Sequence, residues 1–387
     1  MWKTAVTLLA VGMGLPTVHY SGVHRTLKPI ISQQGPNMTS RAAILMDERT
    51  AAILYEKDAF RQLDPASVTK MMTALLVIEH GHLSTMVTIS RSAAQVPGSS
   101  LHIAPGQKYT VRDLLYGLLM RSGNDASVAL AQAEAGSVRK FVAEMNSKAQ
   151  ELGAFNTQFE NPNGLTKPGH FSTAYDLALI ARKAMSLPPF RQMVGAKEYD
   201  ILEHRDHRHR SVHNTNQLLY TFPYATGIKT GTTDAAGKCL VASASRNGQD
   251  LIAVVLNSHD RYHDAKKLLN WGFEHWSTVE VLQAGQTVAR IPVIHGKNSL
   301  VPVTVSRPMW LSIPNQETYD LLIRPLRLTA PVRFRQPAGF VSVVTPGQAP
   351  EVELLRTKRA DGVRKDRFSW NWFKRGLSAI NRFTVRQ

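Results

Sequence analysis

The sequence predicts an α+β fold built on an antiparallel sheet, and three observations carry that expectation. Two short apolar runs, residues 42–46 and 51–55, flank the polar stretch Asp47-Glu48-Arg49-Thr50 and read as a β-hairpin. Helical periodicity then dominates from about 65 to 190. Strand-like runs return near 226, where residues 240–245 and 251–256 flank Asn247-Gly248, a strong two-residue hairpin signal, before a last amphipathic helix at about 262–276. Strands, a helical middle, more strands and a closing helix belong in one α+β domain over residues 30–277.

The rest of the chain divides around that domain. Its 387 residues suggest roughly two domains. A hydrophobic content of 43% excludes wholesale disorder. The single cysteine, Cys239, excludes an internal disulfide framework and a cysteine-rich zinc module; on a strand it reads as a small buried residue. The net charge of +17 points to a polyanionic neighbour: nucleic acid, an anionic membrane face or an acidic wall polymer. Lys3 followed by the mostly apolar stretch 5–15 makes residues 1–25 a signal peptide or signal-anchor, too short to span a bilayer comfortably. Export without paired cysteines suggests a bacterial envelope. Residues 278–355 show short β-like runs broken by Gly and Pro, the texture of a small all-β domain.

Residues 356–387 carry ten basic residues against Asp361 and Asp366, a net +8 and nearly half the charge of the chain. At 100° per residue Trp370, Phe373, Leu377, Ile380 and Phe383 gather on one side, opposite Lys374, Arg375 and Arg382. That is the pattern of a helix lying in the lipid interface of an anionic membrane. The competing reading is a helix docked on the protein itself or a basic arm for wall polymers.

The first chemical element is Asp64-Pro65-Ala66-Ser67-Val68-Thr69-Lys70. Asp64 is a good N-cap and Pro65 suits a first helical position, so Ser67 falls in the first turn with Lys70 on the same face. A serine hydroxyl needs a base to become a nucleophile, and a lysine serves only if burial or a neighbouring cation lowers its pKa. Alone the spacing is weak, and Ser137-Val138-Arg139-Lys140 repeats it where Ser137 is more simply a cap. The second element, Ser122-Gly123-Asn124, interrupts a helical stretch; Ser245-Arg246-Asn247 matches it, but Asn247 belongs to the turn. The third is Lys229-Thr230-Gly231-Thr232 in a strand, where Lys229 could attract a carboxylate and Gly231 allows close approach by a ligand. Only these three sets occur in the order, and on the elements, expected of penicillin-interacting serine acyl-enzymes.

With the runs around them, from Leu63 to Thr73, from Leu114 to Ala126, Asn161-Pro162-Asn163-Gly164-Leu165 and Gly227 to Thr233, the chain resembles a D-alanyl-D-alanine carboxypeptidase, a low-molecular-mass penicillin-binding protein. The resemblance implies a penicillin-binding/β-lactamase-like domain, peptidoglycan pentapeptide as substrate, D-alanine release, acylation by β-lactam inhibitors, and no metal or other cofactor. It implies that Ser67 is the acylated nucleophile and Lys70 its proton acceptor. Ser122 would pass protons between the lysines or to the leaving amine, and Asn124 would hold the substrate amide. Lys229, Thr230 and Thr232 would bind the terminal carboxylate beside Gly231. The N–H groups of Ser67 and Thr232 would form the oxyanion hole. The arginine that some relatives place upstream of the Lys-Thr-Gly strand is not evident; Asn214-Thr215-Asn216 stands there.

Other readings compete. A β-lactamase on the same scaffold needs a base for deacylation, and Glu160 is the tempting carboxylate. A non-catalytic basic wall- or nucleic-acid-binding protein would use the charge alone; the complete Ser/Lys set argues against it. His204, His207, His209 and His213 are metal ligands by type, but their basic surroundings read as a solvated loop near the site. The expected location is the outer face of the cytoplasmic membrane.

Overall fold

A computed structural model describes residues 35–315, 317–345 and 350–363. The expected signal segment and the tail from 364 onward, with its amphipathic pattern, lie outside the described residues.

β1 (Ala42–Asp47) and β2 (Ile53–Lys57) form the expected hairpin, and the Asp47 carboxylate accepts from Arg49 N and Thr50 N to shape its turn. A 3-10 turn, Ala66–Thr69, leads into α1 (Lys70–His80). The expected Asp64 cap is not made: Pro65 occupies the cap position without a side-chain bond. Ala66 takes a left-handed φ of 49°, which reorients the chain just before Ser67. α1 stops at Gly81, also left-handed, as the sequence indicates.

β3 (Met86–Thr88), α2 (Arg91–Ala94) and β4 (Lys108–Thr110) make a small excursion before α3 (Val111–Met120), which Thr110 caps. α4 (Asn124–Ala135) follows after Arg121-Ser122-Gly123. α5 (Val138–Glu151) is capped by Ser137, so that serine is structural. α6 (Ala174–Met185) and α7 (Pro188–Gly195) complete the helical cluster. The histidine-rich stretch expected as a loop is largely a hairpin, β5 (Glu198–Glu203) with β6 (Arg208–His213). Its alternation is faint in the sequence because β6 buries only Val212.

After α8 (Leu218–Thr221) come β7 (Ala225–Thr233), β8 (Gly237–Arg246) and β9 (Gln249–Ser258). Asn247 and Gly248, both at positive φ, make the expected two-residue turn. α9 (Arg261–His275) closes the domain. The five strands lie in the order β2-β1-β9-β8-β7, every pair antiparallel. Alternate residues bury opposite faces. Ile44, Met46, Val241 and Val254 meet the helical cluster, while Leu45, Leu240, Ala253 and Val255 meet α9 through Leu268 and Leu269.

The second unit is all-β: β10 (Trp276–Leu282), β11 (Thr287–Ile294), β12 (Leu300–Thr304), β13 (Met309–Pro314), β14 (Asp320–Pro325), β15 (Leu328–Thr329), β16 (Pro337–Val344) and β17 (Glu351–Thr357). It has its own core of Val301, Val303, Val341 and Leu355 among others. Its end lies beyond the expected residue 355. The Thr357 hydroxyl donates to Arg333 O at 2.5 Å, and the Asp361 carboxylate accepts from Asn298 Nδ2 at 2.8 Å, so the sheet holds the chain to Val363. The two units meet where Thr50 Oγ1 lies 2.6 Å from Ser312 Oγ and the Arg49 guanidinium stacks over Trp310. No helix among the described residues is long and apolar enough to cross a membrane.

Candidate active site

Ser67 lies in the 3-10 turn and Lys70 is the first residue of α1. Lys70 is fully buried. Its Nζ is 2.9 Å from Ser67 Oγ, 2.7 Å from Asn124 Oδ1 and 2.6 Å from the carbonyl of Asn163. Burial holds its pKa well below the ordinary lysine value; the Lys229 charge pushes the same way and Asp125 opposes. In the neutral form that burial favours, the partners say where the lone pair lies. Asn163 O and Asn124 Oδ1 can only accept, so Nζ donates to both. A neutral amine has two N–H bonds and one lone pair, and the lone pair is left facing the Ser67 hydroxyl.

Two backbone contacts set Ser67 in place. Gly164, at φ +85°, packs so tightly on Ala66 that a Cβ would sit 1.9 Å from its carbonyl oxygen. Gly231 on β7 presses from the other side, where a Cβ would lie 3.0 Å from Ser67 N. The sequence suggested that this glycine admits a ligand; in the structure it admits the turn that carries Ser67.

Ser122 and Asn124 flank the gap between α3 and α4. Ser122 has a left-handed φ of 61°, and its buried Oγ has no hydrogen-bond partner among the described residues. Asn124 is committed on both sides of its amide, since Nδ2 donates to Pro97 O at 2.6 Å. Lys229 is fully buried on β7, and its Nζ donates to Thr230 O at 3.0 Å. Burial first and the Arg261 charge second lower its pKa to about 7. Thr230 Oγ1 lies 3.5 Å from Thr215 Oγ1.

Sequence reasoning missed three contributors. Arg261, the first residue of α9, donates from Nη1 to Gly231 O at 2.8 Å and Thr232 Oγ1 at 2.7 Å. It puts a guanidinium on the strand of Lys229, from downstream rather than upstream. Its signal was a cation in the first turn of a helix, where the dipole disfavours it. The upstream Asn214 instead holds Ala196 O. His170 is buried and accepts at Nδ1 from Glu160 N, so its Nε2 carries the proton and donates to Thr69 Oγ1, both at 2.9 Å. Burial drops its pKa to about 4, so it is neutral in ordinary buffers. Asp125, fully buried, accepts from Leu101 N and Ser100 Oγ and pins that loop beside Asn124.

The remaining candidates fall elsewhere. The Glu160 carboxylate lies 3.3 Å from Lys167 Nζ in an ion pair. His207, His209 and His213 are exposed on the β5–β6 hairpin, and among the described residues no three potential ligands converge on a metal position. Cys239 is buried on β8, and burial raises its thiol to about 11.

A family profile described as D-alanyl-D-alanine carboxypeptidase matches residues 30–260. The D-alanyl-D-alanine carboxypeptidase DacF of Bacillus subtilis is 35% identical over 321 residues, covering 80% of this chain and 82% of its own. DacA of Escherichia coli is 33% identical over 374 residues, 90% of each chain. Among solved structures, penicillin binding protein 5 from Haemophilus influenzae superposes with a TM-score of 0.75 at 31% identity, covering 84% of this chain and 98% of that one. The Streptomyces K15 DD-transpeptidase gives a TM-score of 0.59 at 34% identity, over 62% of this chain and 98% of that one.

The contact at Gly164 makes a specific demand. Gly164→Ala must push Ala66, and with it Ser67, away from Lys70, and must also hold an alanine at φ +85°. The variant is expected to remain folded by circular dichroism, to melt several degrees lower, and to label with fluorescent penicillin at least a hundredfold more slowly. Labelling at the wild-type rate would show that the nucleophile does not depend on this contact.

Proposed function

The chain belongs to the D-alanyl-D-alanine carboxypeptidase family of serine peptidases, and from that premise we propose how its residues remove the terminal D-alanine of peptidoglycan stem peptides and react with β-lactams. The observation that carries the reading is the buried Lys70 Nζ at 2.9 Å from Ser67 Oγ, with its other two bonds fixed on carbonyl oxygens. Lys70 takes the Ser67 proton as Oγ attacks the penultimate D-alanyl carbonyl. The oxyanion settles on the N–H groups of Ser67 and Thr232. The C–N bond breaks, the amine of D-alanine leaves with a proton passed through Ser122, and water then hydrolyses the ester. Lys229, Thr230 and Thr232, on the strand that packs against the Ser67 turn at Gly231, hold the terminal carboxylate, and Arg261 supports them. Asn124 positions Lys70 first, and a substrate amide must share its Nδ2 with Pro97 O.

The amphipathic pattern of residues 364–387, with the apolar segment at the N-terminus, supports an exported protein held peripherally on the outer face of the cytoplasmic membrane by anionic lipid. No nucleic acid and no cofactor enter this reading.

Ser67→Ala is expected to abolish both D-alanine release and penicillin labelling, and mass spectrometry of the wild-type adduct should map to the peptide containing Ser67. An adduct on Ser122 or Ser137 would overturn the assignment.

The two lysines give kcat/KM a sign on each side. Lys70 must be neutral, so activity rises with pH through its lowered pKa. Lys229 must be charged to hold a carboxylate, so activity falls as pH passes about 7. The profile is a bell whose limbs belong to the coupled pair, and Lys229→Gln removes the alkaline limb while raising KM. A wild-type profile still climbing at pH 10 contradicts these roles.

Vesicles test the placement. Protein lacking residues 1–25 should sediment with anionic liposomes, while the same chain ending at Val363 should not; D-alanine release from a soluble peptide stays unchanged. Ending at 355 instead would cut β17 and confound the result. Equal sedimentation of the two chains would remove the tail as an anchor.

A further inference from the structure

Three strands of the all-β unit, β14, β16 and β17, are charged unevenly from end to end. Their register puts Asp320, Val344 and Glu351 at one end and Pro325, Pro337 and Arg356 at the other. At that second end Arg324, Arg327, Arg333 and Arg335 are all exposed, and among the described residues none has a carboxylate within ion-pair distance. The nearby acids are committed elsewhere: Glu353 pairs with Arg307, and the buried Asp361 accepts from Asn298.

Large apolar side chains stand beside these arginines. Phe334, between Arg333 and Arg335, is 60% exposed, and Leu326, between Pro325 and Arg327, is 43% exposed. The register carries the apolar surface along the outer face of the sheet. Phe340 lies opposite Arg324, and Leu322, Ser342 and Val352 form the next row, with Leu322, Phe340 and Val352 all exposed. A single exposed phenylalanine is ordinary; a set of this kind, rimmed by unpaired arginines, marks an interaction surface. The exposure of Phe334 is built into its turn. Arg335 N donates to Thr357 O at 2.9 Å, Arg333 N to Gln336 Oε1 at 2.9 Å, and Thr357 Oγ1 to Arg333 O at 2.5 Å. The Arg335 guanidinium lies over the Phe334 ring, 5.4 Å from its centroid.

The chain leaves the sheet at this same end. Val332, two residues before Phe334, bridges Asp361, and the described chain ends two residues later at Val363. The sequence that follows, residues 364–387, carries seven basic residues against Asp366. Like charge keeps that segment from settling on the arginines. A hydrophilic anionic polymer would match the arginines but leave Phe334 and Leu326 in water. An anionic lipid surface satisfies both, since headgroup phosphates take the guanidinium groups and the acyl boundary takes Phe334 and Leu326.

We propose that this tip, Leu326 and Phe334 with Arg324, Arg327, Arg333 and Arg335, is a second membrane contact that inserts its apolar side chains into an anionic lipid surface beside the tail. The inference deepens the peripheral-membrane reading and rests on it. The tail brings the protein to the surface, and the tip engages at the high local concentration that tethering supplies. One contact fixes where the protein is; the second fixes which end of the all-β unit faces lipid.

The experiment uses the full mature protein and vesicles of phosphatidylglycerol and phosphatidylcholine in equal parts. A polarity-sensitive fluorophore is attached at Phe334→Cys. The native Cys239 is buried and its thiol is pushed up to about 11, so alkylation at neutral pH selects the introduced thiol. Emission is expected to shift to the blue by about 10 nm or more on vesicles. The same label at Phe155→Cys, on the catalytic domain and 70% exposed, should not shift. Leu326→Ser/Phe334→Ser in the full chain should weaken vesicle affinity about fivefold or more, with D-alanine release from a soluble peptide and penicillin labelling within about twofold. The proposal is overturned if the full chain sediments with vesicles while the Phe334 label stays unshifted, if the Phe155 label shifts as far, if the double variant binds as wild type does, or if soluble poly(glycerol phosphate) shifts the Phe334 label as far as vesicles do. Full chain that does not sediment at all removes the peripheral-membrane reading and this contact with it.

Discussion

The burial of Lys70 is the constraint on which the rest of the site depends. An ammonium taken out of water without a counter-ion is strongly unfavourable, so the protein can hold this group cheaply only as an amine. Three separate pieces of chain converge on its Nζ. The 3-10 turn brings Ser67, the first residue of α4 brings Asn124, and the 161–165 loop brings the Asn163 carbonyl. Each is useless to the others at a different distance. The helical cluster, with Met71, Met72 and Leu75 of α1 fully buried, is what fixes those distances.

The backbone around the nucleophile is correspondingly unrelaxed. Ala66 and Ser122 both sit at left-handed φ, a conformation that costs a non-glycine residue roughly 1 kcal/mol or more. Gly164 and Gly231 clamp the turn at contacts that admit no side chain. Such geometry persists only where the surroundings overdetermine it. Here a five-stranded sheet with both faces buried supplies one jaw through β7. His170, bonded to Thr69 and to the Glu160 backbone, ties the other jaw to the base of α1.

This division explains what could be read in advance. Ser67 with Lys70, Ser122 with Asn124, and Lys229 with Gly231 are each local sets, so spacing and order revealed them. The Asn247-Gly248 turn was equally plain, because its chemistry is contained in two residues. The unread features come from contacts distant in sequence. Asp64 makes no cap because the chain turns left-handed at Ala66, which packs against Gly164, a hundred residues on. Arg261 acts on a strand thirty residues earlier, and nothing local to it says so. The β5–β6 hairpin hid because nearly all of β6 faces solvent, which removes the alternation that marks a half-buried strand. The end of the all-β unit was misplaced for the same kind of reason: Asp361 looks like part of a basic tail until Asn298 and Val332 are brought beside it.

Arg261 joins the two lysines into a single device. A cation at the first position of a helix opposes the dipole, and the carbonyls of Gly231 and Cys239 with the Thr232 hydroxyl offset that cost. Burial, with the Arg261 charge added to it, lowers the pKa of Lys229 to about 7. A substrate carboxylate arriving between them favours the charged form of Lys229 by direct attraction. A charged Lys229 in turn disfavours charge on Lys70. In the proposed mechanism, binding of the terminal carboxylate therefore strengthens the electrostatic preference for a neutral Lys70 beside Ser67 as the scissile carbonyl is presented. Under the proposed roles, a peptide without that carboxylate would forfeit this preparation as well as its anchor, and the site would discriminate through the protonation of Lys70 in addition to contact.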